Sequence, residues 1–254
     1  MLIDNISVKI KRRETPFYNF LYRFAKKLRT SSIPVSGPSK LFYRALYNVC
    51  VALREFSKWI LRFLFFEPMF RARCERVGKG LFMERPQYIR GHGRIIIGDN
   101  FNISGKVSFH VGSKICEDPV LEIGNNTQIG HGCEITAGLR VSIGNNVIIG
   151  SGVRIADIDG HPLDAGKRRQ KLTVSMEDIK PVEIKDDVWI GVDSYIGKGV
   201  VIGERSIVGA GSVIRKNIPP DSIVVGNPAR VVGKLTEAVS EDLVNEQNAQ
   251  DLKA

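Results

Sequence analysis

One segment of the 254-residue sequence concentrates side chains that can exchange protons or bind anions. It lies between Ile155 and Ile184 and contains a single histidine, His161. An imidazole gains and loses a proton near neutral pH, which suits it to proton transfer. Asp157 and Asp159 precede the histidine and can either orient its ring or form a turn. What these residues do depends on the elements that hold the segment in place.

Those elements follow a six-residue period. The aliphatic positions of the repeat are Ile97, Ile103, Ile123, Ile129, Ile135, Ile143, Ile149, Ile155, Ile184, Ile190, Ile196, Ile202, Val208 and Ile214. A period of six matches neither the 3.6-residue turn of a helix nor the alternation of a flat strand. It predicts a solenoid in which each unit is one short strand and one tight turn, and in which three units make a triangular coil of roughly 18 residues. Gly and Asn are expected at the strained turn positions.

The repeat breaks where His161 lies. The interval of 29 residues from Ile155 to Ile184 is not a multiple of six, so residues 156–181 are predicted to leave the coil as an excursion loop. The loop also carries the basic run Lys167–Lys171.

Four segments, in order along the chain, resemble the hexapeptide-repeat acyltransferases, and within them the maltose and galactoside O-acetyltransferase branch. They are Gly160–Asp164, Val188–Gly191, Gly209–Val213 and Gly226–Arg230. Capsule and O-antigen O-acetyltransferases share much of this pattern. The resemblance covers about residues 76–234 and implies a mainly β fold, a left-handed parallel β-helix. It also implies a homotrimer with active sites at the subunit interfaces.

The resemblance implies acetyl transfer from acetyl-CoA to a hydroxyl and assigns roles to individual residues. His161 matches the catalytic histidine, which takes the proton of the acceptor hydroxyl as general base. Asp157 and Asp159 are candidates to orient its ring or to form turns. The backbone N–H of Val192 matches the donor to the oxyanion.

Acetyl-CoA, as acyl donor, is expected in a groove between neighbouring coils. The residues expected there are Trp189, Gly191, Ala210, Arg215, Lys216 and Arg230. The small residues let pantetheine lie close, the cations suit the nucleotide phosphates, and the tryptophan packs at the mouth. No metal is expected, because the histidines at 92, 110, 131 and 161 lack the close spacing of a zinc-dependent β-helix carbonic anhydrase. Gly138 stands where galactoside-acetylating relatives have an acidic residue, which disfavours simple galactosides and maltose as acceptors.

The net charge of +10 is concentrated at one end. Residues 1–73 contain 15 Lys and Arg and 4 Asp and Glu, whereas the rest is nearly neutral. Such asymmetry indicates a boundary near residue 75 and an anionic partner, such as a membrane surface, for residues 1–73. Nucleic acid is disfavoured because no recognition motif is present.

Residues 30–39 are predicted to form a linker and Leu41–Phe66 a helix with one apolar face, which Pro68 ends or kinks. Two interpretations of this helix remain open. It lies on an anionic leaflet with Trp59 at the interface, or it packs its apolar face on the next domain.

The sequence therefore predicts a cytoplasmic O-acetyltransferase, peripheral on the membrane, acting on a sugar of a bacterial surface polysaccharide or its lipid-linked precursor. A sugar N-acetyltransferase and an inactive scaffold are the alternatives. Residues 235–254 are predicted to form a tail or a short helix.

Overall fold

The computed structural model describes residues 2–235, with side chains from residue 6 onward. The chain forms two compact units that divide between Glu55 and Phe56. The first contains helix α1 (Leu2–Arg12), helix α2 (Pro16–Thr30) and the greater part of helix α3 (Pro38–Leu61). No helix in residues 2–235 is long and apolar enough to cross a membrane. The predicted tail lies outside the described residues apart from Leu235.

The second unit begins with the end of α3, a π-helical turn (Arg62–Phe66) and helix α4 (Glu67–Arg73). The chain stays helical through Pro68 but not as one α-helix, since α3 ends at Leu61 and the π-helical turn comes directly before α4. Pro68 occupies the first turn of α4, where its missing N–H costs no hydrogen bond. Phe70 on α4 is buried in the core of the coil, so the second unit starts before the boundary that charge alone suggested.

The second unit is otherwise a triangular β-helix with three faces of stacked strands, and all but the last pair are parallel. Face 1 contains β1 (Arg76–Val77), β4 (Arg94–Ile97), β7 (Val120–Ile123), β10 (Arg140–Ile143), β13 (Val182–Ile184) and β16 (Val201–Ile202). Face 2 contains β2 (Phe82–Met83), β5 (Asn102–Ile103), β8 (Gln128–Ile129), β11 (Ile148–Ile149), β14 (Trp189–Ile190), β17 (Ile207–Val208), β19 (Ser222–Gly226) and β20 (Ala229–Lys234). Face 3 contains β3 (Tyr88–Arg90), β6 (Ser108–Val111), β9 (Glu134–Ala137), β12 (Arg154–Ala156), β15 (Tyr195–Ile196) and β18 (Val213–Ile214).

The predicted aliphatic ladder forms the core of the β-helix. Every aliphatic position of the six-residue repeat is at most 3% exposed. The residue before it on each strand points outward, as at Ile148, which is 47% exposed while Ile149 is 2% exposed. This alternation follows from the opposite directions of successive side chains on a strand.

Asparagine and aspartate hold the turns between faces 1 and 2. Asn100, Asn126, Asn146 and Asp187 all have φ between +54° and +58°, a conformation that Asn and Asp tolerate better than most residues. Their side chains hydrogen-bond from coil to coil, and Asn126 Nδ2 donates to Asn146 Oδ1 at 3.0 Å. The prediction of Asn at strained turns is confirmed.

Residues 157–181 leave the coil between β12 and β13. Register is kept across this excursion, since Ile143 still pairs with Ile184. The loop contains a short helix α5 (Ala165–Arg169) and a 3₁₀ turn (Met176–Asp178). Val174 and Ile179 are buried and anchor it, so the loop has a small apolar base of its own.

Candidate active site

His161 lies on the outer side of the excursion loop. It is exposed, while Pro162 beside it is buried and fixes the backbone. Within residues 2–235 the imidazole has neither a hydrogen-bond nor an ion-pair partner. No polar contact with the described residues therefore fixes the ring, and it is accessible to a ligand.

Arg168 clamps the loop next to the histidine. Its Nη1 donates to the carbonyl oxygens of Pro162, at 2.9 Å, and Leu163, at 2.5 Å. Asp164 caps α5 by accepting from the N–H of Lys167 at 2.7 Å, which turns Arg168 back toward the loop. Sequence reasoning missed Arg168. The signal was present, since Asp164 precedes the basic run by three residues, as an N-cap does.

Asp157 is completely buried and contacts a neighbouring coil instead of His161. Its carboxylate accepts from the N–H groups of Gly138, Leu139 and Arg140 at 2.6–2.7 Å. Burial raises the pKa of this carboxyl above its ordinary value, and the three N–H donors oppose the rise. These contacts correspond to neither role left open by the sequence, because the carboxylate binds the backbone of the preceding coil and not His161 or the turn beside Gly160.

Asp159 pairs with Lys198. Its Oδ2 lies 2.5 Å from Lys198 Nζ, which also donates to the carbonyl of Asp178 at 2.8 Å. Lys198 therefore connects the two arms of the excursion loop to the coil that follows β15. Orientation of the His161 ring by Asp159 has no hydrogen bond to support it in this structure. Sequence reasoning missed Lys198, which comes from a turn 39 residues further along the chain.

Replacing Lys198 by methionine is expected to lower kcat about tenfold or more while the melting temperature changes little. A partly exposed ion pair contributes about 1 kcal/mol or less to stability, but a loosened loop misplaces His161, and small misplacements lower rates strongly. Steady-state kinetics and thermal melting measure the two effects.

The matched control for this variant is Lys185→Met, which removes another surface ion pair, the one with Glu183. Asp159→Asn should lower kcat like Lys198→Met, and the double variant should lower it no further, because both remove one interaction. If the effects of the two substitutions on kcat are additive, the ion pair between Asp159 and Lys198 is not what positions the loop.

Gly191, Val192 and Ala210 come together at the corner between faces 2 and 3. Gly191 is buried, and a Cβ there would lie 2.5 Å from the backbone nitrogen of Ala210, so the two coils meet without room for a side chain. Val192 is exposed, and its carbonyl accepts from the N–H of Gly211 at 2.8 Å. Its own N–H has no acceptor within residues 2–235. An amide donor without a partner in residues 2–235 therefore lies at this corner, next to Gly150 of the preceding coil.

Trp189 lies on the outer surface of β14 and is 51% exposed. Ile148, its neighbour on β11, is also exposed, so the indole forms part of an apolar strip beside the corner.

Two of the three predicted phosphate-binding cations lie at another corner of the coil. Arg215 and Lys216 are exposed and follow β18, on the side where face 3 meets face 1. Arg230 is exposed on β20 and pairs with Val225, whose side chain lies next to Gly209 at the corner between faces 2 and 3. Residues 2–235 also contain no group of three His, Cys, Asp or Glu side chains that can hold a metal ion.

The chain resembles known families and proteins. The bacterial transferase hexapeptide family (six repeats) matches residues 181–216, and the hexapeptide repeat of succinyl-transferase matches residues 120–156. Galactoside O-acetyltransferase of Escherichia coli is 33% identical over 171 residues, 67% of this chain and 69% of that protein. The chain belongs to the hexapeptide-repeat acetyltransferases. The structure confirms the left-handed parallel β-helix predicted for this family.

Other members of the hexapeptide-repeat acetyltransferases match over different extents. The Saccharomyces cerevisiae protein YJL218W is 41% identical over 78 residues, 31% of this chain and 38% of that protein. The chain thus spans about two fifths of some curated relatives. Among solved structures, the N-acyltransferase AntD of Bacillus cereus superimposes with a TM-score of 0.57 at 24% identity, over 72% of this chain and 96% of that one. At this identity the superposition shows the fold alone.

Proposed function

We propose that this protein is an acetyl-CoA-dependent O-acetyltransferase that acetylates a sugar hydroxyl of a bacterial surface polysaccharide or of its lipid-linked precursor. The observation that carries the proposal is the 171-residue similarity to galactoside O-acetyltransferase. The exposed imidazole of His161 supports it, because a base that no group in residues 2–235 engages is free to take a proton from an incoming hydroxyl.

The proposed mechanism uses two groups of the chain, the imidazole of His161 and the N–H of Val192. His161 accepts the proton of the acceptor hydroxyl as its oxygen attacks the thioester carbon of acetyl-CoA. The N–H of Val192 donates to the oxyanion that forms. The imidazolium then returns its proton to the departing CoA thiolate, so that acetyl ester and CoA are the products. Pantetheine is proposed to pass along the outer side of this corner, past Gly191 and Ala210, whose backbones meet there without room for a side chain.

We further propose a homotrimer with shared active sites. Val192 lies at the corner between faces 2 and 3, whereas the loop that carries His161 leaves the coil at the other end of face 3. The exposed apolar strip of Ile148, Trp189 and Val192 suits an interface with a second copy. In such an assembly, His161 of one protomer meets the amide corner of its neighbour. The mass in solution tests this arrangement.

The acceptor is proposed to lie at the cytoplasmic face of the membrane. The support is the charge of residues 1–73, where 15 cations accompany 4 carboxylates. An anionic leaflet attracts such a segment, and a lipid-linked sugar is presented at the same surface.

The test is CoA release from acetyl-CoA in the presence of glycan extracts and lipid-linked oligosaccharide fractions. We expect CoA to be released only when an acceptor is present. Alkali should then remove the acetyl group from the product, because esters are hydrolysed by base. An acetyl group that is stable to alkali would indicate an amide, and the activity would then be sugar N-acetylation instead of O-acetylation. Failure of acetyl-CoA to bind in calorimetry would overturn the proposed activity and favour a scaffold.

A further inference from the structure

Residues 56–69 present a dense apolar surface at the start of the second unit. We call these residues the aromatic segment. Its exposed members are between 43% and 67% accessible, namely Phe56, Trp59, Leu61, Phe63, Leu64, Phe65 and Met69. Single exposed apolar residues are ordinary, but a contiguous group of this size marks a binding surface.

The aromatic segment has a defined orientation because its inner side is fixed to the first coils. Phe70 is buried in the core and Phe66 packs against it. Arg71 donates from Nη1 to the carbonyl oxygens of Val77, at 2.9 Å, and Gly78, at 3.1 Å. The outward side chains are thus presented by a rigid support.

The outward rings are arranged in one row. Trp59 stacks on Phe56, with ring centroids 6.1 Å apart, and on Phe63, with centroids 5.8 Å apart. Leu64 and Phe65 follow on the π-helical turn and are exposed on other sides of the helix from Phe63. Exposed apolar side chains therefore extend around the helix here and are not confined to one stripe.

Charge decides what this face binds. Residues 56–73 carry four cations, Lys58, Arg62, Arg71 and Arg73, and one carboxylate, Glu67. A second copy docked on this face would bring like charges together, whereas an anionic leaflet attracts them. Tryptophan and phenylalanine between Lys and Arg are the composition of interfacial helices.

We propose that the aromatic segment inserts into the surface of an anionic lipid bilayer and anchors the first coils of the β-helix there. The inference deepens the proposed location of the acceptor at the membrane face, and it does not depend on the acetyl transfer itself. The basic helices α1 and α2 contribute electrostatic attraction to the leaflet, which salt screens. The aromatic segment contributes the part of the binding free energy that comes from burial of apolar area and resists salt.

The test uses the full-length protein and vesicles of equal parts phosphatidylcholine and phosphatidylglycerol. Trp189→Phe leaves Trp59 as the only tryptophan, so its fluorescence reports insertion. We expect a blue shift, quenching by lipids brominated in the acyl chain, and flotation of the protein with the vesicles. Vesicles of phosphatidylcholine alone should bind much more weakly.

Trp59→Ser combined with Phe63→Ser should lower the partition coefficient at high salt about tenfold or more. The matched control is Val231→Ser with Val232→Ser, two exposed apolar residues on β20, which should leave partition unchanged. Lys26→Gln with Lys27→Gln should weaken binding mainly at low salt. Melting temperatures of all variants verify folding.

If the Trp59 and Phe63 variant floats with the vesicles as well as the parent does, the inference is overturned. It is also overturned if the parent is an oligomer and the two substitutions dissociate it, because the aromatic segment would then be a protein interface. Acetyl transfer to a water-soluble acceptor fragment separates this inference from the proposed function. A parent protein that transfers acetyl but does not float overturns the membrane inference alone. A parent that floats but transfers to no acceptor overturns the proposed function alone.

Discussion

Replacing His161 by alanine is expected to lower kcat about 10²–10⁴-fold, the usual contribution of a positioned general base. The melting temperature should change little, because the ring is exposed and has no polar partner in residues 2–235. The measurement is CoA release with a working acceptor, together with thermal melting.

The control for this substitution is His92→Ala. His92 is also an exposed histidine on the β-helix, and its Nε2 lies 3.2 Å from the carbonyl oxygen of Cys116. The His92→Ala variant should retain the kcat of the parent protein. Equal losses in both variants, or parental CoA release by the His161 variant, would show that the imidazole of the excursion loop is not the base.

Replacing Ile149 by alanine is expected to lower the free energy of unfolding by about 2–5 kcal/mol, because the inward ladder cannot collapse around the cavity. Ile149 is 2% exposed and lies between Ile129 and Ile190 on neighbouring coils. Urea or thermal unfolding at a fixed protein concentration measures the loss.

The adjacent residue provides the matched control. Ile148 is the same residue type on the same strand, but it points outward and is 47% exposed. Ile148→Ala should cost about 1 kcal/mol or less. If the two substitutions destabilise equally, the assignment of inward and outward positions is wrong.

The β-helix could be predicted from the sequence because its period is a local property. One inward aliphatic side chain in six recurs along the chain, and every such position is buried in the structure. The excursion loop was visible for the same reason, as a spacing that breaks the period. Handedness came from the family resemblance, since period alone contains no information about it.

The contacts of the acidic residues could not be predicted in the same way. Asp157 bonds to amides at Gly138 and beyond, and Asp159 pairs with Lys198. These partners come from the preceding and the following coil, and only the stacking of coils brings them to the loop. Proximity to His161 in the chain therefore suggested an orienting role for which the structure shows no hydrogen bond.

The start of the second unit depends on a contact that local reasoning does not contain. The change in charge near residue 75 indicated a boundary after the helix. In the structure Phe70 on α4 packs beside Phe109 with ring centroids 6.4 Å apart. A contact between two aromatic residues that are distant in sequence thus joins the helix to the coil.

A crystal structure of the protein with bound CoA tests the proposed chemistry most sharply. We expect the sulfur of CoA within about 3–4 Å of the His161 imidazole, from the same or a neighbouring protomer. Pantetheine should pass Gly191 and Ala210, beside the N–H of Val192. CoA bound away from that corner, or a His161 ring that no protomer brings within reach of the sulfur, would contradict the proposed chemistry.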